Sequence, residues 1–148
     1  IDVCKKARSL RPDVSFGADI ITGFPTETDE MFENSMKIVE ECDLTFLHVF
    51  PYSEREGTPA AKIPASKQVY VPTRKERAAK LRALGEAQLK KFNEAQIGKE
   101  AMIVVEKNGV GHTECFAEVH FEGDLEIGSL AKIQITETID GQLFGKII

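Results

Sequence analysis

The stretch "DIITGFPTET", residues 19–28, decides the reading of the fold. An apolar run ends in Gly23, Phe24 and Pro25 and passes at once into a threonine- and glutamate-rich helix start. A buried strand is thus joined to a helix N-terminus through a tight corner, the junction from which parallel α/β sheets are built. Upstream, "VCKKARSL" puts Val3, Ala7 and Leu10 at helical spacing, and Pro12 ends that helix by disfavouring helical backbone in the residue before it. "VSFGADIIT" follows as a strand. Downstream, "DEMFENSMKIVEE" sets Phe32, Ser35, Met36 and Val39 on one face, with acids in the first turn, where the helix dipole favours them. "LTFLHVF" is a second strand, nearly all apolar, as a strand covered on both faces would be. Residues 1–52 therefore read as α/β with a parallel sheet. Two strands cannot bury themselves, so the pattern reads as the last part of a larger sheet or barrel.

From residue 53 the period is lost. "SEREGTPAAKIPASKQVYVPT" holds Pro59, Pro64 and Pro72, and a loop of this length is usually functional or interdomain. A long helix is predicted from Thr73, with Glu76 completing a T-x-x-E capping box. Ala78, Leu81, Gly85, Leu89 and Phe92 make a thin apolar stripe on an otherwise charged surface, which reads as a solvated connecting helix. After it come "EAMIVVEK", "HTECFAEVHF", "LAKIQITETI" and "QLFGKII", separated by Gly98, "NGVG", "EGD", "IGS" and "DG". Short apolar and β-branched runs between turn residues predict a closed or nearly closed barrel of four or five strands. The fold class is α/β followed by all-β: an α/β part at 1–72, a linker helix at 73–96 and a small β-barrel at 97–148.

The chain has 148 residues, 42% hydrophobic and 29% charged, and no apolar run near the length of a membrane span. It begins with Ile1 rather than Met, which suggests a piece of a longer chain, and "IDVCKKARSL" lacks the apolar core of a secretory signal. Cys4, Cys42 and Cys115 are odd in number and far apart, without a CxxC pair. They form neither a disulfide framework nor a metal-ligand pattern and fit a reduced, cytoplasmic setting. The charge is uneven: residues 1–73 carry 8 Lys/Arg against 12 Asp/Glu, residues 74–99 carry 8 against 3, and residues 100–148 carry 3 against 9. If nucleic acid is a partner, its electrostatic footprint belongs on the basic middle segment.

In parallel α/β sheets, ligands bind at the carboxyl ends of the strands. Gly23 lies at such an end, and a flat ligand can approach a backbone without a side chain. Asp19 either hydrogen-bonds a ligand or caps a neighbouring backbone group, while Glu27 and Thr28 cap the helix. Pro51 and Tyr52 lie at the equivalent end of the second strand. His48 in mid-strand reads as a satisfied core histidine, and Arg55 as a surface ion-pair residue. This makes a pocket rim without a nucleophile–base pair or a metal cluster.

"DIITGFPTET", followed after a helix by "FLHVFPYSEREGTPAAKIP", resembles the C-terminal half of the radical S-adenosylmethionine domain of tRNA methylthiotransferases. The family pattern is close to D-x-I-x-G-F-P-G-E-T and then F-x-Y-S-x-R-x-G-T-x-A. The β-rich region behind it resembles the TRAM domain that ends those enzymes. Thr26 stands where the family has glycine, which asks for a corner that a threonine can adopt.

The resemblance implies a fragment of a partial (βα) barrel, a linker helix and a TRAM β-barrel, with S-adenosylmethionine as cofactor. It carries Asp19, Ile21, Gly23, Pro51, Tyr52 and Ser53 over as cofactor-lining residues. It places the CxxxCxxC motif for the 4Fe-4S cluster, and the cysteines of an auxiliary cluster, upstream of these residues. No catalytic or metal-binding residue is assigned within the chain, which by itself is expected to be inactive. The implied partner is the tRNA anticodon stem-loop, docked through Lys107, His112 and Lys132 and through the basic helix at Arg74, Lys75 and Arg77, with Lys80, Arg82, Lys90 and Lys91 beside them. The same helix can equally be a solvated charged face. Phe116 and Phe121 either stack on bases or pack in the core.

"GVGHTECF", residues 109–116, resembles the G-x-T-E-x-[YF] loop of the branch acting on threonylcarbamoyl-adenosine. The isopentenyl-adenosine branch tends to carry arginine and asparagine there, and a further branch acts on a ribosomal-protein aspartate. A stand-alone RNA-binding module and a protein-interaction domain remain rival readings. An exposed sheet edge and apolar face predict self-association, or poor order, of residues 1–52.

Overall fold

The computed structural model describes residues 1–148. Two compact units divide the chain: Ile1–Pro12 with Phe16–Gln88, and Asp13–Ser15 with Leu89–Ile148. The first contains α1 (Asp2–Leu10), β1 (Gly17–Thr22), α2 (Asp29–Glu41), β2 (Phe46–Pro51) and most of α3 (Val71–Glu94). Single 3-10 turns at Ala60–Lys62 and Ala65–Lys67 punctuate the loop before α3. The strands pair in parallel, with Asp19 opposite His48 and Ile21 opposite Phe50.

The alternation of β1 and β2 assigns their faces. Ala18, Ile20, Leu47 and Val49 point into a core shared with Phe32 and Val39 of α2 and Ala78 and Leu81 of α3. Asp19, Ile21, His48 and Phe50 are exposed. The sheet is therefore covered on one face, where the apolar composition of "LTFLHVF" suggested two, and His48 is exposed instead of buried. In α1 the expected apolar face is also open, with Val3 81% and Leu10 74% exposed. The half-buried Cys4 packs against the core instead.

Thr28 caps α2, its hydroxyl accepting from the Met31 N–H at 3.2 Å. α3 begins at Val71, two residues earlier than predicted, with Pro72 in its first turn, where a missing N–H costs no helical bond. The proposed capping box does not form; Glu76 pairs with Lys80 at 2.8 Å. Nor is α3 a separate connector over its first part. Ala78 and Leu81 are fully buried, and a Cβ on Gly85 would lie 3.1 Å from Leu47, so the helix lies directly on the sheet.

The second unit is a closed barrel of β3 (Glu100–Lys107), β4 (Val110–Thr113), β5 (Glu118–Phe121), β6 (Leu130–Ile139) and β7 (Gln142–Ile147), in the order β3-β4-β5-β7-β6. Only β5 and β7 pair in parallel. "HTECFAEVHF" is not one strand: it turns between β4 and β5. Ile103, Val105, Val119, Phe121, Ile133, Ile135 and Leu143 point inward and form the core. Each such side chain contributes about 1.5–3 kcal/mol on burial. Gly145 is required by close approach, since a Cβ there would lie 2.8 Å from both the Gln134 carbonyl oxygen and Ile133 Cγ1. No helix is long and apolar enough to cross a membrane.

Candidate functional site

The corner quoted at the outset is a β-turn from Phe24 to Glu27, closed by the Glu27 N–H donating to the Phe24 carbonyl at 2.9 Å. Pro25 occupies its second position and Thr26, at φ 77°, its third. That combination belongs to a type II turn, whose third position favours glycine. A β-branched residue there is strained, so Thr26 does not relax into an easier corner; it adopts the backbone that glycine would.

Gly23 also has a left-handed backbone, at φ 70°. Its N–H donates to both Glu27 carboxylate oxygens at 3.0 Å. A Cβ on Gly23 would fall 2.4 Å from Arg74 Cγ. The close approach for which glycine is needed is thus made by α3, and no flat ligand can take that side of Gly23 in this arrangement.

Arg74 and Arg77, expected to face RNA, are 8% and 6% exposed. Arg74 donates through Nε to the Val69 carbonyl at 2.7 Å, through Nη1 to the Tyr52 carbonyl at 3.2 Å and through Nη2 to Gln68 Oε1 at 3.2 Å. Its own carbonyl accepts from the Thr22 hydroxyl at 3.2 Å. Arg77 donates to Glu27 Oε1 and Asp29 Oδ1, each at 2.6 Å. Burial alone would lower the Arg77 pKa, but the hydrogen bonds to Asp29 and Glu27 outweigh it and hold the guanidinium above its ordinary value. These two arginines bind the strand ends to α3, and neither offers a guanidinium to solvent.

The cofactor candidates separate into two groups. Pro51 and Tyr52 are half-buried, and the Tyr52 N–H donates to the Thr22 carbonyl at 2.8 Å. The Tyr52 ring meets Phe24 edge-on at 5.4 Å with the Arg74 guanidinium 5.0 Å from its centre. Its shielded hydroxyl has no hydrogen-bond partner. Gly23, Pro51 and Tyr52 therefore gather around Arg74. Asp19 and Ile21 lie on the open sheet face with His48 and Phe50, and Ser53 is exposed. An apolar pair, Ile21 at 54% and Phe50 at 53% exposed, beside a carboxylate and an imidazole is chemically suited to a molecule with an aromatic ring and an ammonium group. No group of three or more His, Cys, Asp or Glu side chains is placed to hold a metal ion.

The remaining RNA candidates are exposed or on the barrel's outside. Lys75 and Lys107 are exposed. Lys132 Nζ lies 2.6 Å from Glu100 Oε2, so a phosphate must compete with a carboxylate for it. On the basic helix, Lys80 pairs with Glu76, Lys90 Nζ lies 4.0 Å from Glu94, and Arg82 donates to the Val49 carbonyl at 2.8 Å. His112 Nδ1 lies 3.1 Å from Glu106 Oε2, and its ring is 4.9 Å from that of Phe116. Phe121 is in the core, whereas Phe116 is 64% exposed. The network of Glu27, Asp29 and Arg77 was missed by sequence reasoning. Its one local signal was the threonine at a glycine position, which marked the corner as unusual but gave no partner.

No protein-family model matches the chain. A curated relative from Rickettsia prowazekii (strain Madrid E), named threonylcarbamoyladenosine tRNA methylthiotransferase MtaB, is 50% identical over 143 residues, covering 97% of this chain and 33% of the relative. The chain is a homologue of tRNA methylthiotransferases. A tRNA-2-methylthio-N(6)-dimethylallyladenosine synthase from Bacillus subtilis (strain 168) is 37% identical over 161 residues, covering all of this chain and 31% of the relative. A protein of the same name from Novosphingobium aromaticivorans is 32% identical over 149 residues, 97% of this chain and 33% of its own length. The chain spans about a third of the length of the methylthiotransferases it matches.

Proposed function

We propose that the chain is the C-terminal portion of a radical S-adenosylmethionine tRNA methylthiotransferase, which adds a methylthio group at C2 of N6-threonylcarbamoyladenosine next to the anticodon. The observation that carries this reading is the 50% identity over 97% of the chain to the relative named for that nucleoside, against 37% for the Bacillus subtilis relative named for the dimethylallyl nucleoside. "GVGHTECF" supports the same branch.

In this reading the open face of β1 and β2 turns toward the interior of a barrel completed by strands outside these residues. Bound S-adenosylmethionine supplies the deoxyadenosyl radical chemistry, for which the 4Fe-4S cluster is held by cysteines outside this chain. The chain's own part is positioning: Ile21 and Phe50 give apolar contact and Asp19 a carboxylate. Arg74 fixes the ends of β1 and β2 relative to each other through Thr22 and Tyr52. The barrel is the TRAM module that docks the anticodon stem-loop, with Lys75, Lys107, His112 and Lys132 as its outward-facing polar candidates. The source of sulfur and the electron donor are supplied from elsewhere.

The test is nucleoside mass spectrometry of bulk tRNA from a strain lacking the gene. Loss of the methylthio form of threonylcarbamoyladenosine alone is expected. Loss of the methylthio dimethylallyl form instead would keep the enzyme class and reassign the branch. No change in either nucleoside would overturn the proposal.

A further inference from the structure

The turn between β4 and β5 carries an exposed aromatic side chain on left-handed backbone. Phe116 stands at φ 66°, in the left-handed region where a bulky residue is a genuine outlier. Its ring is 64% exposed. The turn is fixed by Thr113, whose N–H donates to the Ala117 carbonyl at 2.9 Å. The Thr113 carbonyl accepts from the Phe116 N–H at 2.9 Å and its hydroxyl from the Ala117 N–H at 3.0 Å. These bonds are made by backbone groups and the Thr113 hydroxyl, and glycine would take the same backbone without strain. Strained backbone persists only where the surrounding structure holds it, and such residues cluster at functional sites.

The surroundings point to what the ring meets. The Phe116 ring lies 4.9 Å from that of His112, tilted by 37°. Strand register puts His112 opposite Glu118 and His120 opposite Phe144, so His112, His120 and Phe144 share the barrel's outer face. His120 and Phe144 are themselves stacked, at 5.2 Å and 27°. Two aromatic–imidazole pairs thus sit along one face of a barrel that carries 3 Lys/Arg against 9 Asp/Glu. Phosphate is repelled by such a surface, whereas a neutral planar base is not, and Glu106 beside His112 and Glu118 opposite it offer acceptors to its amino groups.

We propose that Phe116, backed by His112, is a stacking platform for an unpaired nucleobase of the RNA, and that the barrel grips bases while phosphate contacts are made by other residues. This rests on the tRNA reading above. Single-stranded loops are commonly held by such stacking on aromatic rings.

The test measures binding of the 148-residue chain to an anticodon stem-loop RNA with 2-aminopurine in its loop, and to an unstructured oligoadenylate. Phe116→Gly should weaken both about tenfold, abolish 2-aminopurine quenching, leave the salt slope of binding unchanged and raise the melting temperature. Phe116→Trp should retain binding. Equal binding by wild type and Phe116→Gly would overturn the platform and leave the tRNA reading standing. Absence of binding to either RNA by the wild type would overturn the platform and turn this face toward a protein partner, while the nucleoside analysis decides the tRNA reading separately.

Discussion

Each of the five barrel strands pairs with two neighbours, whereas each strand of the α/β unit pairs with one. In the barrel, alternation along the strands is enough to close a core, with Ile103, Ile133 and Leu143 completely buried. In the α/β unit, one face of the sheet is closed by α2 and α3, and the buried arginines of α3 tie down the strand ends. The opposite face leaves Ile21 and Phe50 open. A hydrophobic interior therefore stabilises the first unit only in part, and charged hydrogen bonds hold the corner that apolar packing leaves incomplete.

Removing the interior from the self-sufficient unit should have the largest effect. Ile133→Ala is expected to destabilise the barrel by about 4 kcal/mol. Hydrogen exchange should show protection lost across β3 to β7 and kept in β1 and β2. Next comes Arg77→Met, expected to cost the α/β unit about 3 kcal/mol, because Glu27 is left as a nearly buried charge without its partner. Denaturant-dependent exchange of the β1 and β2 amides measures it. A loss below about 1 kcal/mol would mean that the corner is held by packing after all.

What could be read in advance follows the same division. Strand periodicity in "EAMIVVEK" and "LAKIQITETI" matches β3 and β6 residue for residue, because a closed barrel makes inside and outside alternate. The break between β4 and β5 was hidden, since the left-handed position in that turn holds Phe116 instead of the glycine by which such turns are recognised. Arg74 and Arg77 read as surface because basic residues on a charged helix default to solvent. Their burial depends on Tyr52, Val69, Glu27 and Asp29, contacts that no local pattern encodes. Of the residues that the resemblance carries over as cofactor-lining, Asp19 and Ile21 lie on the exposed sheet face, while Arg74 fills the space beside Gly23.

A smaller effect, of opposite sign, is expected at the corner itself. Thr26→Gly should stabilise the α/β unit by about 1 kcal/mol, by removing the left-handed strain on a β-branched residue. Added freedom of glycine in the unfolded chain offsets part of that gain. A melting temperature that falls on this substitution would show that the threonine side chain contributes more than its backbone costs.

The smallest effect is expected where the α/β unit is least covered. Burial, and then the neighbouring Cys42 thiol, push the Cys4 thiol above its ordinary pKa. A raised pKa favours the neutral thiol in the folded chain. The associated stability is fully present below the unfolded thiol's pKa and fades as pH rises through the higher folded value. At mildly alkaline pH the native chain should hold less Cys4 thiolate than the urea-unfolded chain, and since the thiolate is the nucleophile, iodoacetamide should alkylate Cys4 more slowly. Mass spectrometry of the peptide containing Cys4 after timed quenching measures the two rates. Equal rates would mean that α1 leaves the core often enough for Cys4 to react as though exposed, which would set the stable boundary of this unit at β1.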